Sequence, residues 1–547
     1  MNSLEIAQQA TLVPIDEIAE RVGLQQDEVD PYGRYKAKIA LSAVDRLADR
    51  PDGKLICVAG MTPTAAGEGK TTTLVGLTQG LGAIGKRSLA CLREPSLGPV
   101  FGVKGGAAGG GWTQIVPMED LNLHFTGDIH AIGAANNLLA ALIDAHIHHG
   151  NQLDIDPNNI TWRRAIDMND RALRHNVVAL GGKTNGLPRE TGFDITAASE
   201  VMALMAVTRD LKDLRERLAR ITIGYSRDGR PITAEDLGAA GSMTVLLREA
   251  LKPNLVQTLE GQPCLMHTGP FANIASGNNS LVADRIGMKL ADYIVTESGF
   301  GADMGMEKFF DIVCRFGGLT PSAVVLVCTV RAIRHHAGGD EGDLEEGFAN
   351  VAHHLQVIKK FGLPAVVAVN RRPGDSEEDV EAVRQLALAA GAHGAEVNEG
   401  FEKGGQGVTK LAEAVVAACD APSDFRFLYE DSASIEEKIE AVATQAYGAD
   451  GINILPAAQA KIEQFTKDGL ANFPVCMAKT QLSLTADPKK LGAPKGFTVD
   501  IRDIRAYTGA GWLVPLCGDI MQMPGLGPQP AAQKIDIDEQ GNTVGLF

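Results

Sequence analysis

A run of fourteen residues carries the densest chemistry in the chain: Gly60-Met61-Thr62-Pro63-Thr64-Ala65-Ala66-Gly67-Glu68-Gly69-Lys70-Thr71-Thr72-Thr73. A glycine-rich loop closing on Gly-Lys-Thr suits a phosphate. Backbone N–H groups and a helix N-terminus cradle the anion, a lysine reaches its outer oxygens and a hydroxyl ligates Mg²⁺. On this reading Thr64, Ala65, Ala66, Gly67, Glu68, Gly69, Lys70, Thr71 and Thr72 line the phosphates. Lys70 reaches the β- and γ-phosphates, and Thr71 binds the Mg²⁺ of MgATP. The strict pattern has glycine where this chain has Thr64, so Gly67 and Gly69 must supply the backbone freedom.

A second group is Arg93-Glu94-Pro95-Ser96-Leu97-Gly98-Pro99. Arg93 is a fixed cation whose planar fork matches phosphate or carboxylate. Glu94 is suited to orient a substrate amine or a metal-bound water. A third is Gly102–Gln114, with six glycines among its first ten residues and Lys104 as its only charge. Such a loop lets backbone approach a ligand closely. Lys104 joins the phosphate contacts on this reading.

Weaker candidates follow. Tyr293-Ile294-Val295-Thr296-Glu297 reads as a strand ending in a carboxylate, which could sit near Mg²⁺. His124, Asp128 and His130 lie just past the glycine-rich stretch, and His124 is the candidate acid or base there. His146, His148 and His149 resemble a metal cluster. They sit just before Gly150, where cations favoured at a helix C-terminus explain them better.

These groups need a scaffold. Apolar runs recur at Leu55–Ala59, Ser88–Leu92, Val177–Leu180, Ile221–Gly224, Tyr293–Thr296, Ala323–Thr329 and Ala365–Asn370, with helical patterns between several of them. Leu74, Leu77, Leu81 and Ile84 share a helix face directly after Lys70. The expected fold is α/β: a P-loop-type, mostly parallel sheet flanked by helices, with additional smaller α/β lobes. In such a sheet, loops at strand C-termini bind ligands, and Arg93 and Glu94 stand in one. Expected boundaries near Leu319–Pro321 and Ala421–Pro422 divide the chain into residues 1–320, 321–421 and 422–547. The first would hold the nucleotide site, the second would be a smaller α/β domain, and the third a C-terminal lobe.

Composition narrows the partners. Of 547 residues, 45% are hydrophobic and 22% charged, enough apolar material for a large core. Lys plus Arg is 51 and Asp plus Glu is 68, so the net charge is 51 − 68 = −17. Nucleic acids and anionic membranes gain no long-range attraction to such a chain. No apolar run approaches the ~18 residues of a membrane span. Met1–Glu20 carries Glu5, Asp16, Glu17 and Glu20, unlike a secretory or transit leader, so cytoplasm is the expected compartment. Eight cysteines without a CxxC read as buried free thiols.

Together these segments resemble the formate–tetrahydrofolate ligase family. Gly102–Gln114 matches its glycine-rich signature, with Trp112 where Tyr is usual and Thr113 where Ala or Ser is usual. Val327-Cys328-Thr329-Val330-Arg331-Ala332-Ile333-Arg334 matches a second, with Cys328 where Ala is typical. The following His335-His336-Ala337-Gly338-Gly339 is one residue longer than the family's pattern, at Ala337. Tyr32–Ile39, His124–Ile132, His267–Ala275, Thr296–Arg315 and Met523–Phe547 add further matches, so the resemblance spans essentially the whole chain.

The resemblance implies ATP-dependent ligation of formate to tetrahydrofolate through formyl phosphate, giving 10-formyltetrahydrofolate, ADP and phosphate. Lys70, Arg93, Glu94 and His124 become the catalytic candidates, with Glu94 beside the folate amine. Arg372, Pro373 and Phe401 align with positions that flank a planar ring, Arg372 where an aromatic is common and Phe401 where Trp is common. Arg372→Phe is then expected to preserve or improve folate binding. Ser276 stands where the family usually has His. The resemblance also implies a homotetramer and activation by a monovalent cation. Local sequence by itself leaves two rivals: a P-loop ligase for another small carboxylate, or an ATP-dependent switch protein.

Overall fold

A computed structural model describes residues 1–104, 108–339 and 341–546, with the side chains at 103 and 104 outside the description. Its centre is a twelve-stranded sheet. In chain order the strands are β1 Val29–Pro31, β2 Ala37–Ile39, β3 Lys54–Gly60, β4 Ser88–Leu92, β5 Gly109–Gly110 and β6 Thr113–Val116. Then come β7 Asn254–Thr258, β8 Pro263–Met266, β9 Tyr293–Gly301, β10 Pro321–Cys328, β11 Ala365–Asn370 and β12 Gly394–Asn398. They lie in the order β1-β2-β7-β8-β4-β9-β3-β10-β11-β12, with β6 on β7 and β5 on β6. From β8 to β12 every neighbour is parallel. The β1, β2, β5, β6 and β7 end is antiparallel.

The parallel strands are buried on both faces, which is why they read as unbroken apolar runs. Leu55, Cys57 and Ala59 of β3 enter one hydrophobic cluster, while Ile56 and Val58 enter another. β10 alternates in the same way, with Val324, Leu326 and Cys328 against Val325 and Val327. Seven helices matter below: α1 Lys70–Ala83, α2 Asp128–His148, α3 Glu200–Val207, α4 Leu281–Leu290, α5 Val330–His336, α6 Leu344–Lys360 and α7 Thr409–Asp420. Leu74, Val75, Leu77 and Leu81 of α1, with Leu411, Ala412 and Val415 of α7, cover one face. α2, α3, α4 and α6 contribute to the cluster on the other.

α1 is buried beyond its leucine stripe. A Cβ at Gly76 would lie 3.2 Å from Thr113 Cγ2, and one at Gly80 would lie 3.2 Å from the Val408 carbonyl oxygen. Glycine lets this helix sit close to the segment after β12.

Five of the seven expected runs became strands of the sheet, and two did not. Asn176–Val178 forms a two-stranded hairpin with Arg189–Thr191, leaving Val177 and Leu180 exposed. Thr222–Ser226 joins a separate three-stranded sheet with Ile155–Ile160 and Pro231–Thr233. Conversely β7 was not foreseen, because Asn254, Gln257 and Thr258 interrupt its apolar pattern although all three are buried. Smaller strand pairs lie towards the C-terminus. Gly451–Ile454 runs parallel to Thr498–Ile501, and Asp503–Tyr507 antiparallel to Trp512–Leu516. Their side chains, Trp512 and Ile504 among them, share the larger cluster with the sheet. Pro321 opens β10, which pairs with β3. All eight cysteines are buried and free.

Candidate active site

Parallel register places the ends of β3, β4, β9, β10, β11 and β12 along one rim of the sheet. The segments that follow are 61–69, 93–99, 302–314, 329–336, 371–376 and 399–408.

Residues 61–69 are shaped by their neighbours. Gly67 and Gly69 adopt positive φ, +71° and +76°. Gly69 caps α1, where a Cβ would lie 2.9 Å from Asn370 Nδ2. Asn370 at the end of β11 donates through Nδ2 to the Glu68 carbonyl at 2.8 Å. Its Oδ1 accepts from Thr73 Oγ1 at 2.9 Å. Glu68 is buried and folds back on its own loop. Its Oε1 accepts from the Thr64 N–H at 2.9 Å and the Thr64 hydroxyl at 2.8 Å. Its Oε2 accepts from Thr329 Oγ1 at 2.7 Å. Burial alone would raise this carboxyl, but the bonds from Thr329 and Thr64 more than offset it and hold its pKa below the ordinary value. Ala65 and Ala66 at the tip are exposed, and Thr72 is half-buried.

Three expected residues from three segments meet. The Thr71 hydroxyl, in the first turn of α1, donates to Glu297 Oε2 at 2.8 Å. Arg93 Nη2, after β4, donates to Glu297 Oε1 at 3.3 Å. Glu297 is 4% exposed and lies on β9 between β3 and β4. Asn278 Nδ2 donates to the Glu297 carbonyl at 3.1 Å, which fixes the backbone there. The Lys70 side chain crosses the end of β3, its Cδ 3.2 Å from where a Cβ on Gly60 would be. A cation, a hydroxyl, a carboxylate and a guanidinium thus border residues 61–69. That set can bind a polyphosphate and offset charge on a transferring phosphoryl group.

Glu94 faces elsewhere. It is 5% exposed, its Oε2 has no hydrogen-bond partner, and its N–H donates to the Thr268 carbonyl at 2.6 Å. Burial first, then the charge of Asp128, drives its pKa well above the carboxylate range, with Lys38 opposing. Asp128 is itself paired with Lys38 at 2.7 Å, both almost fully buried. Asn254 Nδ2 also donates to Asp128, at 2.8 Å. Asp128 is therefore a core partner of Lys38, and His124 near it is exposed. His146 accepts the Leu153 N–H at 3.1 Å, a helix-terminal contact. His267 is fully buried, donates from Nε2 to the Ala250 carbonyl and accepts at Nδ1 from Ser280. Burial pushes its pKa down to about 4. Ser276 is buried with an unpartnered hydroxyl, two residues before Asn278.

The ring candidates divide. Arg372 donates from Nη2 to the Gly67 carbonyl at 2.8 Å, so its guanidinium grips residues 61–69. Pro373 beside it is exposed. Phe401 is 51% exposed and rests on glycine backbone. A Cβ on Gly111 would lie 2.1 Å from the Phe401 carbonyl oxygen, and one on Gly110 would lie 3.0 Å from its ring. The Trp112 N–H donates to the Phe401 carbonyl at 2.9 Å. Glycines at 110 and 111 are therefore required by the close approach of residue 401. The side chain of Lys104 lies outside the described residues. Thr329 and Asn370 were present in recognised motifs, but nothing local revealed that they hold Glu68 and the turn at Gly69.

The family profile described as Formate--tetrahydrofolate ligase matches residues 1–547. A protein of that name from Desulforamulus reducens is 57% identical over 562 aligned residues, covering all of this chain and 99% of the relative. Proteins of the same name from Cutibacterium acnes and a Roseiflexus species are each 53% identical, covering both chains throughout. Among the described residues no helix is long and apolar enough to cross a membrane.

Proposed function

The chain belongs to the formate–tetrahydrofolate ligase family, whose members join formate to tetrahydrofolate at the expense of ATP, and from that premise we propose that it works through formyl phosphate made on the rim described above. Similarity along the full length leaves no room for a ligase of another carboxylate or a nucleotide switch. The observation that carries the proposal is the convergence of Thr71, Glu297 and Arg93 beside Lys70.

Formate is a weak acylating agent because its carboxylate has no good leaving group. A formate oxygen attacks the γ-phosphorus of ATP, ADP departs, and formyl phosphate results. The secondary amine of tetrahydrofolate then attacks the formyl carbon, phosphate leaves with the former formate oxygen, and the nitrogen loses its proton. Phosphoryl transfer of this kind depends on positioning and charge compensation more than on a protein nucleophile. Residues 64–72 hold the phosphates in a P-loop manner, Lys70 offsets charge on the transferring group, and Arg93 grips the acyl phosphate through its fork. Lys104 as a further phosphate contact rests on sequence alone.

Thr71 and Glu297 are hard oxygen donors facing one another, a set that fits Mg²⁺. They would hold it, and it would supply charge neutralisation on the phosphate oxygens. Glu94 handles the proton near the amine. Burial and the charge of Asp128 raise its pKa well above the ordinary value, the direction a proton-accepting carboxylate needs. His124 is assigned acid–base work from its sequence position alone. Phe401 and Pro373 flank the pterin, and Arg372, which also holds the Gly67 carbonyl, joins them.

We place the enzyme in the cytoplasm, which the eight buried free thiols support. The homotetramer, the monovalent cation and the division at residues 320 and 421 rest on the resemblance and on sequence. The test is formation of 10-formyltetrahydrofolate, followed by absorbance, with formate, ATP or tetrahydrofolate omitted in turn. Product without ATP, or equal product with acetate replacing formate, would overturn the assignment.

A further inference from the structure

Thr62, two residues beyond β3, is held on every polar atom it has. Its N–H donates to Asn350 Oδ1 at 3.1 Å, and its carbonyl accepts from His336 Nε2 at 2.9 Å. Its hydroxyl lies 2.9 Å from Asn350 Nδ2 and 3.1 Å from His354 Nε2. All four residues are buried. The same side chains reach onward to the C-terminal lobe. The Gly492 N–H donates to His336 Nδ1 at 3.1 Å, and Asn350 Nδ2 donates to the Gly492 carbonyl at 2.8 Å. His354 stands 4.0 Å from Asp303, which is paired at 3.0 Å with Lys479.

The pairing fixes the tautomer of His336. Nδ1 accepts from Gly492, so the proton sits on Nε2 and is given to Thr62. Only a neutral ring with one donor and one acceptor satisfies both neighbours. α5 therefore spans the back of residues 61–69. Thr329 at its start holds Glu68, and His336 at its end holds Thr62.

We propose that His336 and Asn350 are positioning residues for the phosphate-binding loop, fixing Thr62 and tying it to Gly492 of the C-terminal lobe. This rests on reading residues 61–73 as the ATP loop. It gives the lobe a task in catalysis: Gly492 supplies the N–H and the carbonyl that orient both side chains. Gly492 has φ +70°, and a Cβ there would stand 3.2 Å from the His336 carbonyl oxygen. A side chain at 492 would therefore disturb the network from the lobe's side.

The full-length enzyme carrying His336→Leu, His336→Gln, Asn350→Leu or Gly492→Ala is titrated with MgATP at saturating formate and tetrahydrofolate. Tetrahydrofolate affinity and thermal melting are recorded alongside. His336→Leu and Asn350→Leu leave buried backbone groups of Thr62 unpaired, and the KM for MgATP should rise about tenfold or more. Tetrahydrofolate affinity should stay within about twofold of wild type, since that ligand does not use Thr62. His336→Gln offers one donor and one acceptor and should recover most of the loss. Gly492→Ala should raise the KM for MgATP selectively as well. Four results overturn the inference: an unchanged KM for MgATP in folded His336→Leu; Gln no better than Leu; parallel loss of both substrates in step with melting temperature; or a normal Gly492→Ala enzyme. If His336→Leu fails to fold, Gly492→Ala decides. Lys70→Ala run in parallel separates the two claims. Normal MgATP use in that variant removes the loop assignment itself, whereas its collapse beside normal His336 and Gly492 variants removes only the positioning role.

Discussion

Replacing Arg372 with phenylalanine distinguishes what alignment suggests from what the fold imposes. By sequence, Arg372→Phe restores an aromatic wall and should favour folate. In the structure Arg372 donates to the Gly67 carbonyl at 2.8 Å. Phenylalanine removes that bond and frees a turn whose residue 67 sits at φ +71°. Hydrogen bonds from charged donors contribute about 1.5–3 kcal/mol. Arg372 is only partly buried, so water replaces part of the loss and the lower end applies. That corresponds to roughly a tenfold weaker MgATP dissociation constant. Arg372→Lys keeps a donor without the fork and should fall between. Calorimetric titration with MgATP and, separately, with tetrahydrofolate measures both effects. Wild-type MgATP affinity in Arg372→Phe, with folate binding tightened, would refute the reasoning and make Arg372 a ring wall alone.

Glu297→Gln keeps the shape that joins Thr71 to Arg93 but removes the charge; turnover should fall about a hundredfold or more while the fold persists, and the Mg²⁺ dependence should shift to higher concentration. Phe401→Ala should weaken tetrahydrofolate by about tenfold to a hundredfold and leave MgATP nearly unchanged in calorimetry. Gly111→Ala should produce the same folate-selective loss, because its Cβ would collide with the backbone of residue 401. Asp284 supplies a test of stability. Burial raises its carboxyl from the ordinary 3.8 to about 7. A raised folded value means stability that is full below 3.8 and declines as pH rises to about 7. The melting-temperature advantage of Asp284→Asn over wild type should therefore grow across that window and level off above it.

The parallel core was legible because strands buried on both faces must be apolar throughout, as Leu55–Ala59 and Ala323–Cys328 are. Val177–Leu180 satisfied the same local rule yet lies in an exposed hairpin, since four apolar residues do not reveal whether a second layer covers them. β7 failed in the opposite direction: Asn254 and Gln257 are polar but find partners in Asp128 and the Val13 backbone. In the candidate site, Lys70 and Thr71 stood out in the Gly-Lys-Thr pattern, Arg93 directly after an apolar run, and Glu297 as a carboxylate in a strand that continues past it to Gly301. Sequence could not show that Glu94 turns away from Arg93 towards Asp128 and Lys38, or that Arg372 holds Gly67. Nor could it show His336 and Asn350 meeting Thr62, because those contacts join segments more than 270 residues apart. Side-chain direction of that kind is fixed by tertiary packing, which short-range pattern does not encode.

The central claim is that formate is phosphorylated before it meets the folate amine, and isotope transfer tests it most directly. Formate labelled with oxygen-18 in both positions is supplied with unlabelled ATP and tetrahydrofolate, and the released phosphate is examined by mass spectrometry. Attack of a formate oxygen on the γ-phosphorus, followed by cleavage at the formyl carbon, leaves one labelled oxygen in every phosphate formed with product. Unlabelled phosphate accompanying stoichiometric 10-formyltetrahydrofolate would contradict the formyl phosphate route, and with it the role given to Arg93, Thr71 and Glu297.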